Sequence, residues 1–187
     1  MTVGAVADLA GAVLCGGASR RMGQDKAFVE WDGVPMARRM ADTLSAAGCR
    51  PVLAIGGDGL RLAALGLQVV PDDRPGEGPL AGVLTALDAA GGRGVVVVAC
   101  DMPQLRPGAV ASVAAALVGD AQVALAVAPR REPLCAAWAP SAGPVLAAAF
   151  AAGVRALHAV LETLRVAEVS ISSQDVRNVN APSDLAH

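Results

Sequence analysis

The chain carries the apolar run VVVVACD at residues 95–101. Four consecutive valines are apolar on both faces, which is typical of a central strand covered by helices on each side of a largely parallel sheet. Asp101 is the last residue of this stretch and the first charged one, so a carboxylate lies where the predicted strand ends. Ligands of open parallel sheets gather beyond the carboxyl ends of the strands, so this run predicts the centre of the fold and the edge that carries a site.

On either side of this run, apolar β-prone segments alternate with segments typical of helices. Periodicity predicts strands at residues 11–15, 52–55, 67–70, 95–99, 123–128 and 166–171. It predicts helices at residues 35–47, 79–90, 107–117, 142–152 and 155–164, three of which open with a proline near the first turn, where its missing N–H costs nothing. This order of elements indicates an α/β sandwich.

Composition limits the class of protein. The 187 residues are 54% apolar, which is enough for one compact domain with a sizeable core. A net charge of −2, with two Phe, two Trp and no Tyr, argues against a nucleic-acid partner. The apolar runs are too short for a membrane span, and no basic segment precedes the apolar N-terminus, so we expect no membrane association and no targeting segment. Residues 1–8 are predicted to be a flexible leader.

The four cysteines are scattered along the chain at Cys15, Cys49, Cys100 and Cys135. They form no CxxC pair and no spaced Cys/His set, so the sequence indicates neither a zinc site nor a disulfide framework. Reduced thiols are typical of a cytoplasmic protein, which is the location that we expect.

The first predicted strand leads into LCGGASRRMGQDK at residues 14–26. The paired glycines Gly16 and Gly17 let the backbone turn tightly against a phosphate, and two arginines add donors. Lys26 can reach back as a point charge, and it is the single lysine among fifteen cationic residues. The segment matches neither GxGxxG nor GxxxxGK[ST]. It favours a polyphosphate cradle over the alternative of a flexible turn with a solvated charge cluster.

This segment resembles the signature LxGGxSxRMGxDK of the molybdenum cofactor guanylyltransferases, a branch of the nucleotidyltransferase superfamily. Three further segments match in order: VPDD at 70–73 with GPLAG at 78–82, ACDMP at 99–103, and NVNAPSDL at 178–185. The resemblance covers about residues 10–185. It implies a Rossmann-like three-layer sandwich with a mostly parallel central sheet, and one nucleotidyltransferase domain over residues 9–187.

The resemblance also implies roles for individual residues. Asp101 would bind Mg²⁺, with Mn²⁺ as a substitute, because a carboxylate after the most hydrophobic strand must be solvated, paired or bound to a cation. The alternative is that Asp101 caps the next turn. The catalytic residues would be Lys26, Asp101 and Arg21. The cofactor-binding set would be Leu14, Cys15, Gly16, Gly17, Lys26, Asp72, Gly78, Asp101, Arg155 and Asn180.

Within that set the two substrates are expected to use different residues. Asp72 resembles the family aspartate that holds the guanine nucleoside, with Asp73 as a rival. Gly78 and Gly82 bracket a helix start and would allow close approach of the nucleotide, although a simple capped helix explains Gly82 equally well. Molybdopterin ends in a phosphate, and the residues expected on its side are Arg21, Arg155 and Asn180, with Arg20 and Asn178 as neighbours.

The implied reaction is attack by the terminal phosphate of molybdopterin on the α-phosphorus of GTP, with loss of pyrophosphate. A phosphate monoester is already ionised near neutrality, so the reaction needs alignment and charge neutralisation more than a general base. This agrees with the two histidines: His158, which we expect to be a helix-surface or packing residue, and His187 at the end of the chain.

The sequence departs from the family pattern in two places. Cys15 stands where alanine is commoner, and AIGG at residues 54–57 lacks an asparagine that some relatives use to contact the nucleotide. Base selectivity is therefore open, and a molybdopterin cytidylyltransferase or another small-molecule nucleotidyltransferase is the alternative enzyme. The non-enzyme alternative is an inactive nucleotide-binding partner protein. The resemblance implies molybdoenzyme apoproteins or upstream cofactor-synthesis proteins as partners.

Overall fold

A computed structural model describes residues 8–16 and 25–185 of the chain. Its nine strands are β1 Ala10–Leu14, β2 Glu30–Trp31, β3 Val34–Pro35, β4 Val52–Ile55, β5 Gln68–Val70, β6 Val95–Ala99, β7 Val123–Val127, β8 Arg131–Trp138 and β9 Val166–Ser170. Its six α-helices are α1 Met36–Ala46, α2 Gly59–Ala64, α3 Pro79–Ala89, α4 Pro107–Ala115, α5 Gly143–Ala151 and α6 Leu157–Leu161.

Seven of the strands form one sheet in the order β5-β4-β1-β6-β8-β7-β9. Neighbouring strands are parallel except at β8, which runs antiparallel to both β6 and β7. β2 and β3 form a separate two-stranded ribbon. The prediction of an α/β sandwich with a mostly parallel central sheet is confirmed.

The valine run occupies the middle of the sheet as predicted. Val96 and Val98 pack with α1 and α4 on one face, whereas Val95 and Val97 pack with α3, α5 and α6 on the other. Burial on both faces stabilises the strand by about 1.5–3 kcal/mol for each valine relative to exposure. The valines are therefore apolar on both faces because helices cover both sides of the strand, as predicted.

The predicted boundaries of the other elements agree with the structure to within a few residues. Each of the six predicted strands and five predicted helices is present. Pro79 and Pro107 are the first residues of α3 and α4, whereas Pro35 precedes α1 in an extended conformation.

Four elements were not predicted, namely β8, α2 and the two strands β2 and β3. β8 begins with two charged residues and a proline, which are uncommon in strands. The sequence therefore did not predict a strand here, although the second half of β8 is apolar. The helix α2 has only six residues, which is too short for helical periodicity to show. The ribbon of β2 and β3 consists of two two-residue strands.

The parallel register brings several strand ends to one edge of the sheet. Leu14 at the end of β1 pairs with Ile55 at the end of β4 and with Ala99 at the end of β6. The residues that follow these strands are therefore neighbours, although they come from distant parts of the sequence. Within residues 8–16 and 25–185, no helix is long and apolar enough to cross a membrane.

The C-terminal segment returns to this same edge. Asp175 is 2% exposed and accepts hydrogen bonds from the backbone N–H and the guanidinium of Arg106, at the N-terminus of α4. Four residues later, the backbone N–H of Val179 donates to the carbonyl of Asp101 at 2.9 Å. Asp175 therefore holds the chain that leads to the end of β6.

The Asp175 anchor makes a testable contribution to stability. Asp175→Asn is expected to lower the free energy of unfolding by about 2 kcal/mol, because it removes charge-assisted hydrogen bonds from a buried carboxylate. The measurement is urea denaturation. The control is Glu168→Gln, which breaks an exposed ion pair with Arg131 and is expected to cost under about 1 kcal/mol.

The pH dependence follows from the direction of the pKa shift. The hydrogen bonds from Arg106 hold the pKa of Asp175 below its ordinary value. The stability that this carboxylate contributes is therefore complete above the ordinary carboxyl pKa of about 4 and is lost as the pH falls through the lowered pKa. Equal unfolding midpoints for Asp175→Asn and Glu168→Gln at neutral pH would contradict the assignment.

Candidate active site

A pocket lies across the carboxyl edge of the sheet. It has a volume of about 1090 Å³ and is lined by the ends of β1, β4 and β6, by the segment after β5, by the first residues of β8 and by the start of α6. We call it the main pocket. Its position agrees with the rule that ligands bind beyond the carboxyl ends of parallel strands.

One wall of the main pocket is made of glycines. Gly56 and Gly57, after β4, have φ angles of 69° and 75°, which favour glycine. A Cβ atom on Gly57 would lie 3.0 Å from the carbonyl oxygen of Cys15, and one on Gly56 would lie 3.3 Å from the Cβ of Asp72. The chain therefore presents backbone, with no side chain, in the segment that lacks the asparagine noted in the sequence analysis.

Asp72 lies at the same end of the pocket. Its Oδ1 accepts hydrogen bonds from the backbone N–H of Arg74 at 3.0 Å and from the hydroxyl of Thr85 at 3.4 Å. These bonds fix one carboxylate oxygen on the pocket wall. The rival Asp73 lines a smaller neighbouring pocket instead.

The glycines around α3 have different surroundings. Gly78, at φ 86°, precedes the helix and lies against Arg155, since an added Cβ would come within 3.3 Å of the Arg155 carbonyl oxygen. Gly82 lies inside the helix, where an added Cβ would come within 3.1 Å of the Leu14 side chain. Gly82 thus lets α3 pack closely on β1, and both glycines line the main pocket.

Three polar side chains meet at the end of β6. The Lys26 ammonium donates to Oδ2 of Asp101 at 2.8 Å and to Oδ1 of Asn180 at 2.6 Å. Lys26 and Asp101 are 17% and 19% exposed, so solvent screens the pair less than it would at the surface. The structure thus brings together Lys26, Asp101 and Asn180, which the sequence places in three separate motifs.

Each member of this group is held by its own segment. Asp25 accepts from the backbone N–H of Ala27 and so caps the short 3-10 turn that begins at Lys26. Asp184 accepts from the backbone N–H groups of Asn180 and Ala181, and these bonds lower the pKa of its carboxyl. Local side-chain caps therefore set the position of both Lys26 and Asn180.

The donor set at Asp101 fits a magnesium ion. Among the described residues, Oδ1 of Asp101 accepts no hydrogen bond, and no backbone N–H donates to the carboxylate, so the alternative of a turn cap is not realised. The described residues contain no group of three or more His, Cys, Asp or Glu side chains that could hold a metal. Mg²⁺ commonly binds through one or two carboxylates and completes its shell with phosphate oxygens and water, so one carboxylate in a phosphate pocket is a suitable donor.

Arg155 lies at the pocket but is already engaged. Its Nε donates to Glu77, its Nη1 donates to the carbonyls of Phe150 and Val154, and its guanidinium stacks over the Phe150 ring at 4.0 Å. Arg155 precedes α6, which starts at Leu157, so the predicted helix over 155–164 is shorter than expected. Gly17, Arg20 and Arg21 lie outside the described residues, as do residues 1–7 of the predicted leader.

The pocket extends beyond Asp101 to residues of β8 that the sequence did not indicate. Glu132, Pro133 and Leu134 from β8 line this end together with His158, which is exposed on α6, and Asn178. Because β8 was not predicted, nothing in the sequence placed Glu132 near Asp101. We call this end of the main pocket the β8 side.

Burial makes the cysteine thiols poor nucleophiles. All four are buried free thiols, and burial raises the pKa of both Cys15 and Cys135 to about 12. Burial also raises the pKa of Cys100, which adjoins Asp101 in the chain. Thiolates are the nucleophilic form, so these residues act as small apolar groups in the pocket wall and the core.

The fold and the site together define a nucleotidyltransferase. A family model described as "MobA-like NTP transferase domain" matches residues 11–170. The chain belongs to this family.

Individual relatives and a solved structure agree with that membership. The molybdenum cofactor guanylyltransferase of Rhodobacter capsulatus is 35% identical over 95% of this chain and 93% of its own length. A probable molybdenum cofactor guanylyltransferase of Opitutus terrae is 45% identical, but that match covers only 52% of this chain and 50% of the relative. The crystal structure of molybdopterin-guanine dinucleotide biosynthesis protein A from Archaeoglobus fulgidus has a TM-score of 0.78 and 26% identity, with 95% of each chain covered.

The glycine wall gives a testable prediction. Gly57→Ala is expected to weaken GTP binding at least about tenfold, because the new methyl group meets the Cys15 carbonyl and displaces the loop after β1. The measurement is GTP affinity by isothermal titration. Gly92→Ala is a matched control, since Gly92 has φ 83° and a Cβ there would meet nothing within 4 Å. Both variants carry the strain of a positive φ, about 1 kcal/mol, so equal GTP affinities would remove the role assigned to the wall.

Proposed function

We propose that this protein transfers GMP from GTP to the terminal phosphate of molybdopterin, releasing pyrophosphate and forming molybdopterin guanine dinucleotide. The observation that carries the proposal is the contact of Lys26 with Asp101 and Asn180, because Lys26 and Asp101 line the main pocket. The names and coverage of the relatives support the same reaction.

The nucleotide is proposed to occupy the side formed by β1, β4 and β5. Gly16, Gly56 and Gly57 leave backbone exposed there, which allows close approach of a nucleoside or a phosphate chain. The Asp72 carboxylate can accept hydrogen bonds from the N1 and N2 protons of guanine or from a ribose hydroxyl. The phosphates then extend towards Lys26, whose ammonium offsets their charge.

Magnesium is the proposed cofactor, with manganese as a substitute. Asp101 would hold the ion, and the remaining ligands would be phosphate oxygens and water. When bound, the ion would neutralise charge that develops on the leaving pyrophosphate.

The protein's own residues align the reactants. A phosphate monoester is ionised near neutral pH, so it needs no general base to act as a nucleophile. Lys26 places a positive charge between two anions that repel each other, and Asn180 holds that ammonium in position. Arg21, Arg155 and Asn180 are proposed to bind the acceptor, with Asn178 as a further contact. Arg155 and Asn178 line the main pocket.

Two alternatives remain distinct from this proposal. A molybdopterin cytidylyltransferase would use the same fold and the same reaction with CTP. An inactive nucleotide-binding protein would be expected to lack the lysine or the metal-binding aspartate, and this chain keeps both in contact. We also infer the cytoplasm as its location and molybdoenzyme apoproteins or upstream cofactor-synthesis proteins as its partners.

Product analysis tests the reaction and the base together. The purified protein is incubated anaerobically with magnesium, molybdopterin and GTP, CTP or ATP in separate reactions. We expect a dinucleotide only with GTP, identified by mass and by release of pyrophosphate. A product only with CTP would keep the reaction and move the chain to the cytidylyltransferases, and no product with any nucleotide would contradict the proposal.

Substitutions at the ion pair separate binding from chemistry. Asp101→Ala is expected to lower kcat at least about a hundredfold with a smaller loss of GTP affinity, because it removes stabilisation of charge that develops in the transition state. Lys26→Ala is expected to weaken GTP binding and turnover together, since the ammonium contacts phosphate before and during the reaction. Steady-state kinetics and GTP titration measure the two effects.

A matched control is available for the aspartate. Asp88 is exposed on α3, and Asp88→Ala is expected to leave both parameters unchanged. Near-normal turnover in either ion-pair variant would reject the assignment of Lys26 and Asp101.

A further inference from the structure

Glu132 is a carboxylate on the β8 side of the main pocket that the proposed reaction does not use. It lies at the second position of β8 and lines the pocket together with Pro133 and Leu134. A carboxylate repels phosphate groups, so it suits a different partner. The proposed reaction gives such a partner to Asp72 and to Asp101, which line the same pocket, but gives none to Glu132.

A strand irregularity places Glu132 in the pocket. Leu125 of β7 pairs with Ala136 of β8, but the next residue of β7, Ala126, pairs with Glu132. Three residues, Pro133 to Cys135, are thus looped out of the ladder between β7 and β8. Bulges of this kind are frequent beside active sites, where they redirect a side chain. Here the bulge brings the segment that contains Glu132 past the end of β6.

The strand order fixes the distance between Glu132 and the nucleotide side. β8 is the neighbour of β6, whereas β4 and β5 lie three and four strands away from β8. With strands about 4.8 Å apart, Glu132 lies roughly 14–19 Å across the sheet from the residues after β4 and β5. Asp101, at the end of β6, lies between the two sides. A nucleotide on the β4 side with its α-phosphate near Asp101 therefore leaves the β8 side for the acceptor.

The Glu132 carboxylate has unused capacity for hydrogen bonds. It accepts none from the residues that the structure describes, and the adjacent Arg131 directs its guanidinium to Glu162 and Glu168. Burial raises the pKa of the Glu132 carboxyl, and the charge of Arg130 opposes this only in part. Two N–H donors from a ligand would reverse the effect, because hydrogen bonds to a carboxylate favour its charged form.

We propose that Glu132 recognises the pterin ring of the acceptor by accepting hydrogen bonds from its N3–H and 2-amino groups. This inference rests on the proposed function, since it assigns a specificity residue to the acceptor of that reaction. The 2-amino-4-oxo edge of a pterin presents two parallel N–H donors, which match the two oxygens of one carboxylate. The acceptor's phosphate then points away from Glu132 and towards Lys26 and Asp101.

The surroundings of Glu132 suit a flat heterocycle. Pro133 and Leu134 line the same end of the pocket, and both are part-exposed, so they provide apolar surface for a face of the ring. Small-molecule sites commonly combine apolar walls with a few polar groups that fix the orientation of the ligand. On the β8 side, Glu132 is a polar group of that kind.

The test compares Glu132→Gln with Glu162→Gln. The glutamine in the first variant would keep the size of the side chain but place an NH₂ group against the donors of the pterin. We expect the KM for molybdopterin to rise at least about tenfold, as for loss of a charged hydrogen bond, while kcat and the KM for GTP stay within about twofold. Glu162 is 77% exposed and pairs with Arg131, so Glu162→Gln changes the same charge beside the same strand and is expected to behave as wild type.

A second measurement needs no turnover. Pterin (2-amino-4-oxopteridine) and lumazine (2,4-dioxopteridine) share the N3–H group but differ at position 2, where lumazine has an oxygen in place of the amino group and a proton on the adjacent N1. Fluorescence titration is expected to show that the wild type binds pterin at least about tenfold more tightly than lumazine, and that Glu132→Gln loses this preference. A merely structural role of Glu132 would weaken both ligands equally.

The outcomes distinguish this inference from the proposed function. Dinucleotide synthesis by the wild type with an unchanged molybdopterin KM in Glu132→Gln would overturn the inference and leave the function standing. If the wild type makes no dinucleotide, the proposed function is wrong, but pterin binding still tests the role of Glu132. Loss of the preference for pterin in Glu132→Gln would support that role. Equal binding of pterin and lumazine by the wild type would overturn it.

Discussion

The contact between Lys26 and Asp101 is the interaction on which the site depends. It joins residues that are 75 positions apart in the sequence, and the bond from Lys26 to Asn180 joins residues that are 154 positions apart. Neither bond can form unless β1 and β6 are parallel and in register, so that the loop after β1 and the residue after β6 meet at one edge of the sheet. The valine run supplies that condition, because its burial on both faces keeps β6 in the middle of the sheet. The same apolar strand thus stabilises the core and places a carboxylate suited to a metal at this edge.

The C-terminal segment completes the site through bonds of its own. Asp175 fixes the segment to the N-terminus of α4, Val179 bonds to the backbone of Asp101, and Asp184 holds the backbone of Asn180. A negative carboxylate at a helix N-terminus is favourable because the exposed N–H groups and the helix dipole both stabilise it. These contacts pre-organise Asn180 before any substrate binds. Less of the binding free energy is then spent on ordering the lysine.

The sequence predicts the parts of this protein that depend on local pattern. Strands with continuous apolar runs and helices with a proline at the first position follow from hydrophobicity and backbone geometry, and they agree with the structure. The motifs also single out Lys26, Asp101 and Asn180, whose side chains the structure brings into contact. The sequence does not predict β8 because Glu132 and Pro133 have low strand propensity. The strand forms by pairing with β6 and β7, and these partners are distant in the sequence, so a local hydrophobic pattern does not reveal them. Glu132 was missed for the same reason: its position comes from a bulge and not from a motif.

The missing asparagine after β4 has a structural consequence for base selection. Gly56 and Gly57 adopt positive φ angles and press against Cys15 and Asp72, so no side chain occupies the wall between β1 and β4. A wall of backbone can distinguish bases only by the space that it leaves and by its N–H and C=O groups. It leaves more room for the ring of a base than a wall that carries an amide side chain. A bicyclic purine gains more contact from that room than a pyrimidine does, and Asp72 on the same side can pair with the N–H donors of guanine, which cytosine presents only in part. On the nucleotide placement proposed above, the two glycines and the aspartate would together favour guanine without the asparagine, and base selectivity would rest on backbone shape at the end of β4.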